Sequence, residues 1–152
     1  MDIRTKHAIS LWEKLFQAYE IYRKAQVKTV FEHKLTAPQY SVLEVLFNSG
    51  PMPLKKIGER LYVSGANITC VIDNLEKEEL VRRVPSSQDR RIIIAELTSK
   101  GKEKIEKLFP LQAQNILKIT ETLNKDEQEE LFRLLEKLDS NGSKVVDQQQ
   151  GN

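Results

Sequence analysis

The sequence predicts a mainly α-helical protein with one small β-ribbon, and its apolar pattern is the main reason. Residues 5–32 and 98–138 space their apolar side chains in the i, i+3, i+4 rhythm of helices. Residues 80–84 and 91–97 are short runs rich in Ile and Val, separated by turn formers as in a β-hairpin. Long helices are therefore expected at both ends of the chain, with the ribbon between them.

Composition narrows the class of protein. The chain has 152 residues, 39% hydrophobic and 30% charged, and a net charge of only +2, so any nucleic-acid-binding signal must be local. One Cys excludes an internal disulfide framework, and two isolated His give no metal spacing, so neither metal nor cofactor is expected. No apolar run approaches the roughly 20 residues of a membrane span, and no signal peptide is evident. We expect a cytoplasmic protein that does not enter a membrane.

The middle of the chain predicts two helices joined by a short turn. The second helix begins at Ser64, whose hydroxyl can cap the amide three residues on. Its apolar residues share one face: Ile68, Val71, Ile72 and Leu75. The opposite face is small and polar: Ala66, Asn67, Thr69, Cys70, Asp73, Asn74 and Lys77. A helix with such a face can enter the major groove of DNA.

The ribbon that follows is basic. From Arg82 to Arg91 there are four Arg against one acid, Asp89. A two-stranded tip with that charge suits a phosphate backbone or a narrow minor groove. A helix, a groove-reading helix and a basic ribbon in this order make a winged helix-turn-helix, here flanked by long N- and C-terminal helices.

A spaced set of residues makes the resemblance specific. The set comprises Leu75-Glu76, Leu80-Val81, Asp89-Arg90-Arg91, Leu97-Thr98 and Gly101, with Thr36, Gln39, Val42-Leu43, Leu46 and Gly50-Pro51 upstream. It resembles the signature of the multiple-antibiotic-resistance regulator (MarR) family over about residues 35–101, and the flanking helices resemble that family by pattern. The resemblance implies a homodimeric transcriptional regulator that a small molecule or an oxidant releases from DNA.

The DNA-binding residues are predicted from these positions. Those expected to face the major groove are Ser64, Gly65, Asn67, Thr69, Cys70 and Asn74. Asn67 is the best candidate for base-edge contacts, because its amide both donates and accepts hydrogen bonds. Arg90 and Arg91 are expected to reach phosphate or minor groove, whereas Asp89 is expected to orient an Arg, since phosphate repels a carboxylate.

Two further predictions keep alternatives open. Lys55 and Lys56 fit phosphate contact and a merely solvated face equally well. Cys70 is either a small side chain that fits the groove or a thiol whose oxidation blocks DNA binding. Related hydroperoxide regulators carry their sensing Cys early in the first long helix, where this sequence has none, and the nearby Asp73 opposes thiolate formation.

The terminal helices predict the assembly. Residues 1–34 are expected to be an N-terminal dimerisation helix, 35–100 the DNA-binding region, 101–139 the C-terminal dimerisation helices and 140–152 a flexible tail. The first helix carries a wide apolar stripe of Leu11, Trp12, Leu15, Phe16, Tyr19 and Tyr22, which suits either core packing or a dimer surface. The resemblance implies the dimer. Pro110 predicts a kink or a lost backbone bond in the penultimate helix.

The predicted function is sequence-specific binding of double-stranded DNA by a homodimeric regulator, a repressor acting at a palindromic operator. The resemblance implies an effector pocket where the dimerisation helices meet the DNA-binding region. Tyr19, His33, Tyr40 and Phe47 are its candidate lining, although each is more often a packing residue. The alternative is a winged-helix protein-interaction module without sequence-specific DNA binding. No motif for nucleophilic, metal or phosphate chemistry supports an enzyme.

Overall fold

The structure, a computed structural model, describes residues 1–150 and the side chains through Gln148. Within that range the chain has six helices and three short strands, which confirms the mainly helical fold with a small β-wing. In chain order the elements are α1 (Ile3–Glu32), α2 (Ala37–Ser49), β1 (Met52–Pro53), α3 (Leu54–Leu61), α4 (Gly65–Lys77), β2 (Val81–Pro85), β3 (Ile93–Leu97), α5 (Ser99–Thr120) and α6 (Lys125–Gln150). The described residues form two compact units that divide after Asn115. None of the helices in residues 1–150 is long and apolar enough to cross a membrane.

Local sequence determines where the helices begin. The Thr36 hydroxyl accepts from the Gln39 amide at 3.3 Å, and the Gln39 side chain accepts from the Thr36 amide at 2.8 Å. Such reciprocal bonds satisfy amides that a helix start otherwise leaves without partners. Ser64, Thr98 and Asn124 likewise accept from the amide three residues on, at 3.3, 3.0 and 3.0 Å. The bond at Ser64 confirms the cap that the sequence predicts for the second helix of the turn motif.

The sheet has one strand more than the sequence predicts. Strand β3 pairs antiparallel with β2, from Val81 opposite Leu97 to Pro85 opposite Ile93. On its other edge β3 pairs with β1, which places Met52 opposite Ala95. The predicted two-stranded ribbon is present as β2 and β3, and β1 is a third strand that the sequence did not predict. A strand of two residues is too short to show the period-2 pattern by which strands are recognised.

The core of the first unit lies beneath the helix-turn-helix. Its largest buried apolar side chains are Tyr40, Leu43, Ile57, Ile72, Leu75, Leu80, Ile105 and Leu108. On α4, Ile68, Ile72 and Leu75 are buried and Val71 is half-buried, so the apolar face predicted for this helix is confirmed. Burying one face of α4 leaves its polar face in solvent.

The C-terminal helices differ from the prediction in one place. Helix α6 continues to Gln150, so the tail predicted over residues 140–152 is wrong as far as Gln150; residues 151–152 lie outside the described part of the chain. Residues 140–150 contain no Pro, and their single glycine, Gly142, weakens a helix without ending it. Helix α5 passes through Pro110, which has no backbone N–H, so the predicted loss of one backbone hydrogen bond falls within a continuous helix.

Gly101 is predicted to be irreplaceable for steric reasons. A Cβ at Gly101 would lie 1.9 Å from the Leu80 carbonyl oxygen, because the first turn of α5 rests directly on that backbone. Gly101→Ala should therefore lower the free energy of unfolding by about 2–3 kcal/mol in urea denaturation. Gly142→Ala is the control, since a Cβ at Gly142 meets nothing within 4 Å, and it should stabilise its helix by roughly 0.5–1 kcal/mol. Equal effects of the two variants would contradict the steric argument.

Candidate nucleic-acid interface

The predicted groove-facing residues share the exposed face of α4, the helix we call the recognition helix. Asn67, Thr69, Cys70 and Asn74 are all exposed. The Asn74 amide approaches the Cys70 Sγ at 4.0 Å, as expected for side chains one turn apart. The face therefore offers amide and hydroxyl groups that can donate to and accept from base edges.

The first residues of the recognition helix have a mainly structural part. Ser64 is exposed, but its hydroxyl already accepts from the Asn67 amide as the helix cap. Gly65 is the first helical residue, and a Cβ there would meet nothing within 4 Å. Together they leave the helix N-terminus uncovered, and such a terminus favours negatively charged groups such as phosphate.

The wing, residues 81–97, carries an ordered tip. The Arg91 guanidinium donates to both carboxylate oxygens of Asp89, from Nε at 3.1 Å and from Nη2 at 3.0 Å. The Arg91 amide also donates to Asp89 Oδ1 at 3.0 Å, which closes the turn. These hydrogen bonds from Arg91 hold the pKa of the Asp89 carboxyl below its usual range. The pair is therefore ionised at neutral pH and is lost only as the pH falls through that lowered pKa.

Arg83 points back to the recognition helix and not outward. Its Nη2 lies 2.6 Å from Asp73 Oδ1, and the guanidinium also pairs with Glu76. The Arg83 amide donates to the same Glu76 carboxylate at 3.0 Å, and Nη2 donates to the Thr69 carbonyl at 3.4 Å. Burial alone would lower the pKa of Arg83, but the hydrogen bonds to the two carboxylates outweigh it and raise that pKa. Arg83 thus fastens the wing to the recognition helix.

The remaining wing arginines differ in their partners. Arg82 pairs with Glu96, which lies directly opposite it on β3. Arg90 is exposed and forms no ion pair with any residue in the described part of the chain. Counting four Arg in the sequence therefore overestimates the unpaired positive charge of the wing, because three of the four form ion pairs with carboxylates. The sequence alone does not reveal this, since Arg83 meets partners on another element.

Lys55 and Lys56 lie in the first turn of α3, and both are exposed. The Lys55 ammonium lies 4.0 Å from the Glu59 carboxylate, a loose pair between two highly exposed side chains. Such pairs are worth little and break readily. Both lysines remain available for an external phosphate.

A cavity of about 330 Å³ lies behind the recognition helix. Its lining residues come from α1, α2, the end of α3, the turn and α4: Tyr19, Arg23, Gln26, Ala37, Pro38, Ser41, Val42, Leu61, Val63, Ile68 and Val71. The walls are mostly apolar, with a few polar groups from α1. This volume falls within the range of small-molecule sites, roughly 300–1,000 Å³.

Of the four predicted pocket residues, only Tyr19 lines this cavity. Tyr40 is wholly buried and donates to Glu44 at 3.1 Å, Phe47 packs on another aromatic ring, and the His33 ring lies against the Thr29 carbonyl. For these three residues the alternative interpretation, packing, agrees with the structure, because they serve the core and the helix ends. Arg23 and Gln26 were missed, since no local pattern shows that they meet α2 and α4.

Metal binding has no visible basis in the part of the chain that the structure describes. Residues 1–150 contain no group of three His, Cys, Asp or Glu side chains placed to hold an ion. The polar face of α4 and the Arg-bearing wing are the features with functional chemistry.

A short helix, a turn, a recognition helix with a polar outer face and an arginine-bearing wing define a winged helix-turn-helix DNA-binding protein. Comparison with known proteins narrows this class. The chain matches the MarR family over residues 35–93. It is 33% identical over 132 residues to the uncharacterised regulator YkoM of Bacillus subtilis, spanning 87% of this chain and 86% of that one. It is 31% identical over 137 residues to the regulator MhqR of the same organism, spanning 90% and 94%. The chain belongs to the MarR family of transcriptional regulators and is not an enzyme.

Solved structures agree with this fold. BpsR of Bordetella bronchiseptica, whose DNA binding is regulated by 6-hydroxynicotinic acid, is 26% identical with a TM-score of 0.76, covering 86% of this chain and 98% of that one. A mutant MarR from E. coli in complex with operator DNA is 23% identical with a TM-score of 0.79, covering 91% and 99%. The second likeness shows the fold alone.

The Asp89–Arg91 pair predicts a counterintuitive result. Asp89→Ala removes a negative charge from the wing, which by itself would strengthen binding to phosphate. We expect weaker binding instead, with about 1 kcal/mol less binding free energy for duplex DNA. Without Asp89, Arg91 loses the carboxylate that orients it, and the turn loses the hydrogen bond that closes it. Fluorescence anisotropy with labelled duplex DNA measures this, with Arg90→Ala as the reference for a lost cation. Tighter binding by Asp89→Ala would show that the carboxylate only repels DNA.

Proposed function

We propose that the protein is a cytoplasmic repressor that binds a palindromic operator as a homodimer and leaves it when a small molecule occupies the cavity. The observation that carries the proposal is the exposed polar face of the recognition helix beside a wing with ordered arginines. Asn67 reads base edges, with Thr69, Cys70 and Asn74 beside it in the major groove. Ser64 and Gly65 bring the helix N-terminus to the groove.

The wing and α3 supply the backbone contacts in this proposal. Arg90 and Arg91 reach phosphate or the adjacent minor groove, where guanidinium groups bind strongly. Lys55 and Lys56, both exposed, contact phosphate on the other side of the recognition helix. Phosphate contacts position the protein, and base contacts specify the sequence.

Homodimer formation is supported by apolar faces that a single chain leaves exposed. On α1 they include Leu11, Trp12 and Phe16, exposed by 49%, 70% and 59%. On α6 they are Leu131, Leu134, Leu135 and Leu138, each more than two-fifths exposed. Large exposed apolar patches mark association sites, and a two-fold dimer covers the same patch on both copies at once. We infer that the second copy of this chain is the occupant.

Effector release is supported by the composition of the cavity walls. Ile68 and Val71 belong to the recognition helix, whereas Tyr19 and Arg23 belong to α1. A ligand that contacts both helices changes their spacing and hence the position of α4 at the groove. The apolar walls suit an aromatic ring, and the Arg23 guanidinium, which donates to both Glu20 carboxylate oxygens at 2.8 Å, keeps further donors for a ligand carboxylate. BpsR, a similar protein, has its DNA binding regulated by 6-hydroxynicotinic acid, which is an aromatic acid.

Selection of bound sequences from random duplex DNA tests the operator and the dimer together. We expect an inverted repeat whose half-site centres lie ~10 base pairs apart, bound with an affinity that falls steeply with salt. Leu134→Asp should give monomers in sedimentation and lose this binding. Ser140→Asp, which puts the same charge on the opposite side of α6, should keep both properties. Salt-insensitive binding, or no enriched motif, would instead favour the protein-interaction module.

The cavity prediction uses neighbouring basic residues as a matched pair. Arg23 lines the cavity and Lys24 does not, although both are exposed on α1. Small aromatic acids, beginning with 6-hydroxynicotinic acid, are titrated into the operator complex. Arg23→Ala should need roughly tenfold more of an active acid for release, as expected for one lost charged hydrogen bond. Lys24→Ala should behave as the parent protein. Indistinguishable responses of the two variants would place the effector elsewhere.

A further inference from the structure

Tyr62 combines an unusual backbone with an exposed aromatic ring. It is the residue after α3 and has φ 53° and ψ 41°, in the left-handed region. A side chain is strained in this region, and glycine or asparagine adopts it far more readily. The Tyr62 side chain is also 90% exposed, so its ring gains no stabilisation from burial in the fold.

The turn that follows α3 explains why Tyr62 has a left-handed backbone, but it does not explain why its side chain is an exposed aromatic ring. The Val63 amide donates to the Gly58 carbonyl at 2.9 Å, which closes α3 and turns the chain toward Ser64. Lys34 and Glu79 adopt the same conformation, with φ 59° and 60°, at the ends of α1 and α4. Those two side chains are charged and well solvated by water. Folding therefore requires a left-handed residue at position 62, but it does not require a phenol.

The location of Tyr62 suggests a use for that phenol. It lies two residues before Ser64, the cap of the recognition helix, and so belongs to the edge that this helix presents to DNA. The polar residues near the turn are exposed and show no second exposed aromatic ring among them: Glu59, Arg60, Ser64 and Asn67. A protein-interface anchor would be expected to have apolar neighbours, whereas tyrosine among polar groups is typical of a phosphate contact.

We propose that Tyr62 is a DNA-backbone contact whose hydroxyl donates to a phosphate oxygen at the rim of the major groove, with its ring against the adjacent deoxyribose. The inference rests on the proposed binding of DNA by this face. It adds a neutral contact to the charged ones of the wing. Because backbone atoms are alike at every base pair, this contact contributes affinity without sequence preference.

Two substitutions at Tyr62 distinguish the contributions that its ring, its hydroxyl and its backbone conformation make to DNA binding. Tyr62→Phe keeps the ring and removes the donor, and it should weaken binding to operator and to unrelated DNA alike by roughly threefold to tenfold. Tyr62→Gly removes the whole side chain and relieves the left-handed strain. It should weaken binding further while the thermal midpoint stays level or rises. Lys34→Gly is the control, because it relieves the same strain away from the recognition helix and should leave DNA affinity unchanged.

Salt titration distinguishes this contact from the arginine contacts. The slope of log affinity against log salt should be the same in Tyr62→Phe as in the parent, since no charge is lost, whereas Arg90→Ala should reduce it by about one unit. A folded Tyr62→Gly that binds DNA like the parent would overturn the inference alone. A loss confined to one operator base would also overturn it, by showing a base contact. If the parent binds no duplex at all, the proposed function fails, and this inference fails with it.

Discussion

The ion pairs between Arg83 and two acidic residues of the recognition helix are the interaction on which the arrangement of the candidate DNA-binding surface depends. Arg83 belongs to β2, and its partners Asp73 and Glu76 lie one turn apart on α4. Glu76 also accepts a hydrogen bond from the Arg83 amide, so both the backbone and the side chain of Arg83 are held against α4. The two elements that carry the proposed DNA contacts are thereby held at one separation, which reduces the ordering that DNA binding would require.

The other ion pairs of the wing have a different effect. Arg82 with Glu96 and Arg91 with Asp89 are exposed, so they add little to stability. Their value lies in geometry, because a paired guanidinium has a defined direction while keeping donors free for a second acceptor. A phosphate must share these arginines with their carboxylates. Arg90 has no such partner among the described residues, so its guanidinium is the one most readily available to a DNA phosphate.

Local sequence patterns predicted helix caps and the buried face of the recognition helix, but they did not predict contacts between distant elements. The caps at Thr36 and Ser64 and the buried face of α4 depend on residues within one or two turns, so the sequence displays them directly. The partners of Arg83 and the lining by Arg23 depend on elements far apart in sequence, and no local pattern reports them. The two-residue strand β1 exists only because β3 offers it an edge. The left-handed backbone of Tyr62 is a property of the turn, which no local sequence pattern reports.

The cavity shares two side chains with the inner face of the recognition helix, and this sharing has a thermodynamic consequence. Coupling between two binding sites is reciprocal, so the factor by which an effector weakens operator binding is the factor by which operator weakens effector binding. If the cavity holds the effector as proposed, bound operator DNA lowers the affinity of the cavity for that effector. Protein free of DNA would then bind the effector at a lower concentration than protein already on an operator. Under the proposed repressor function, genes with the weakest operators would be derepressed first as the effector accumulates, so that one regulator would order its targets in time.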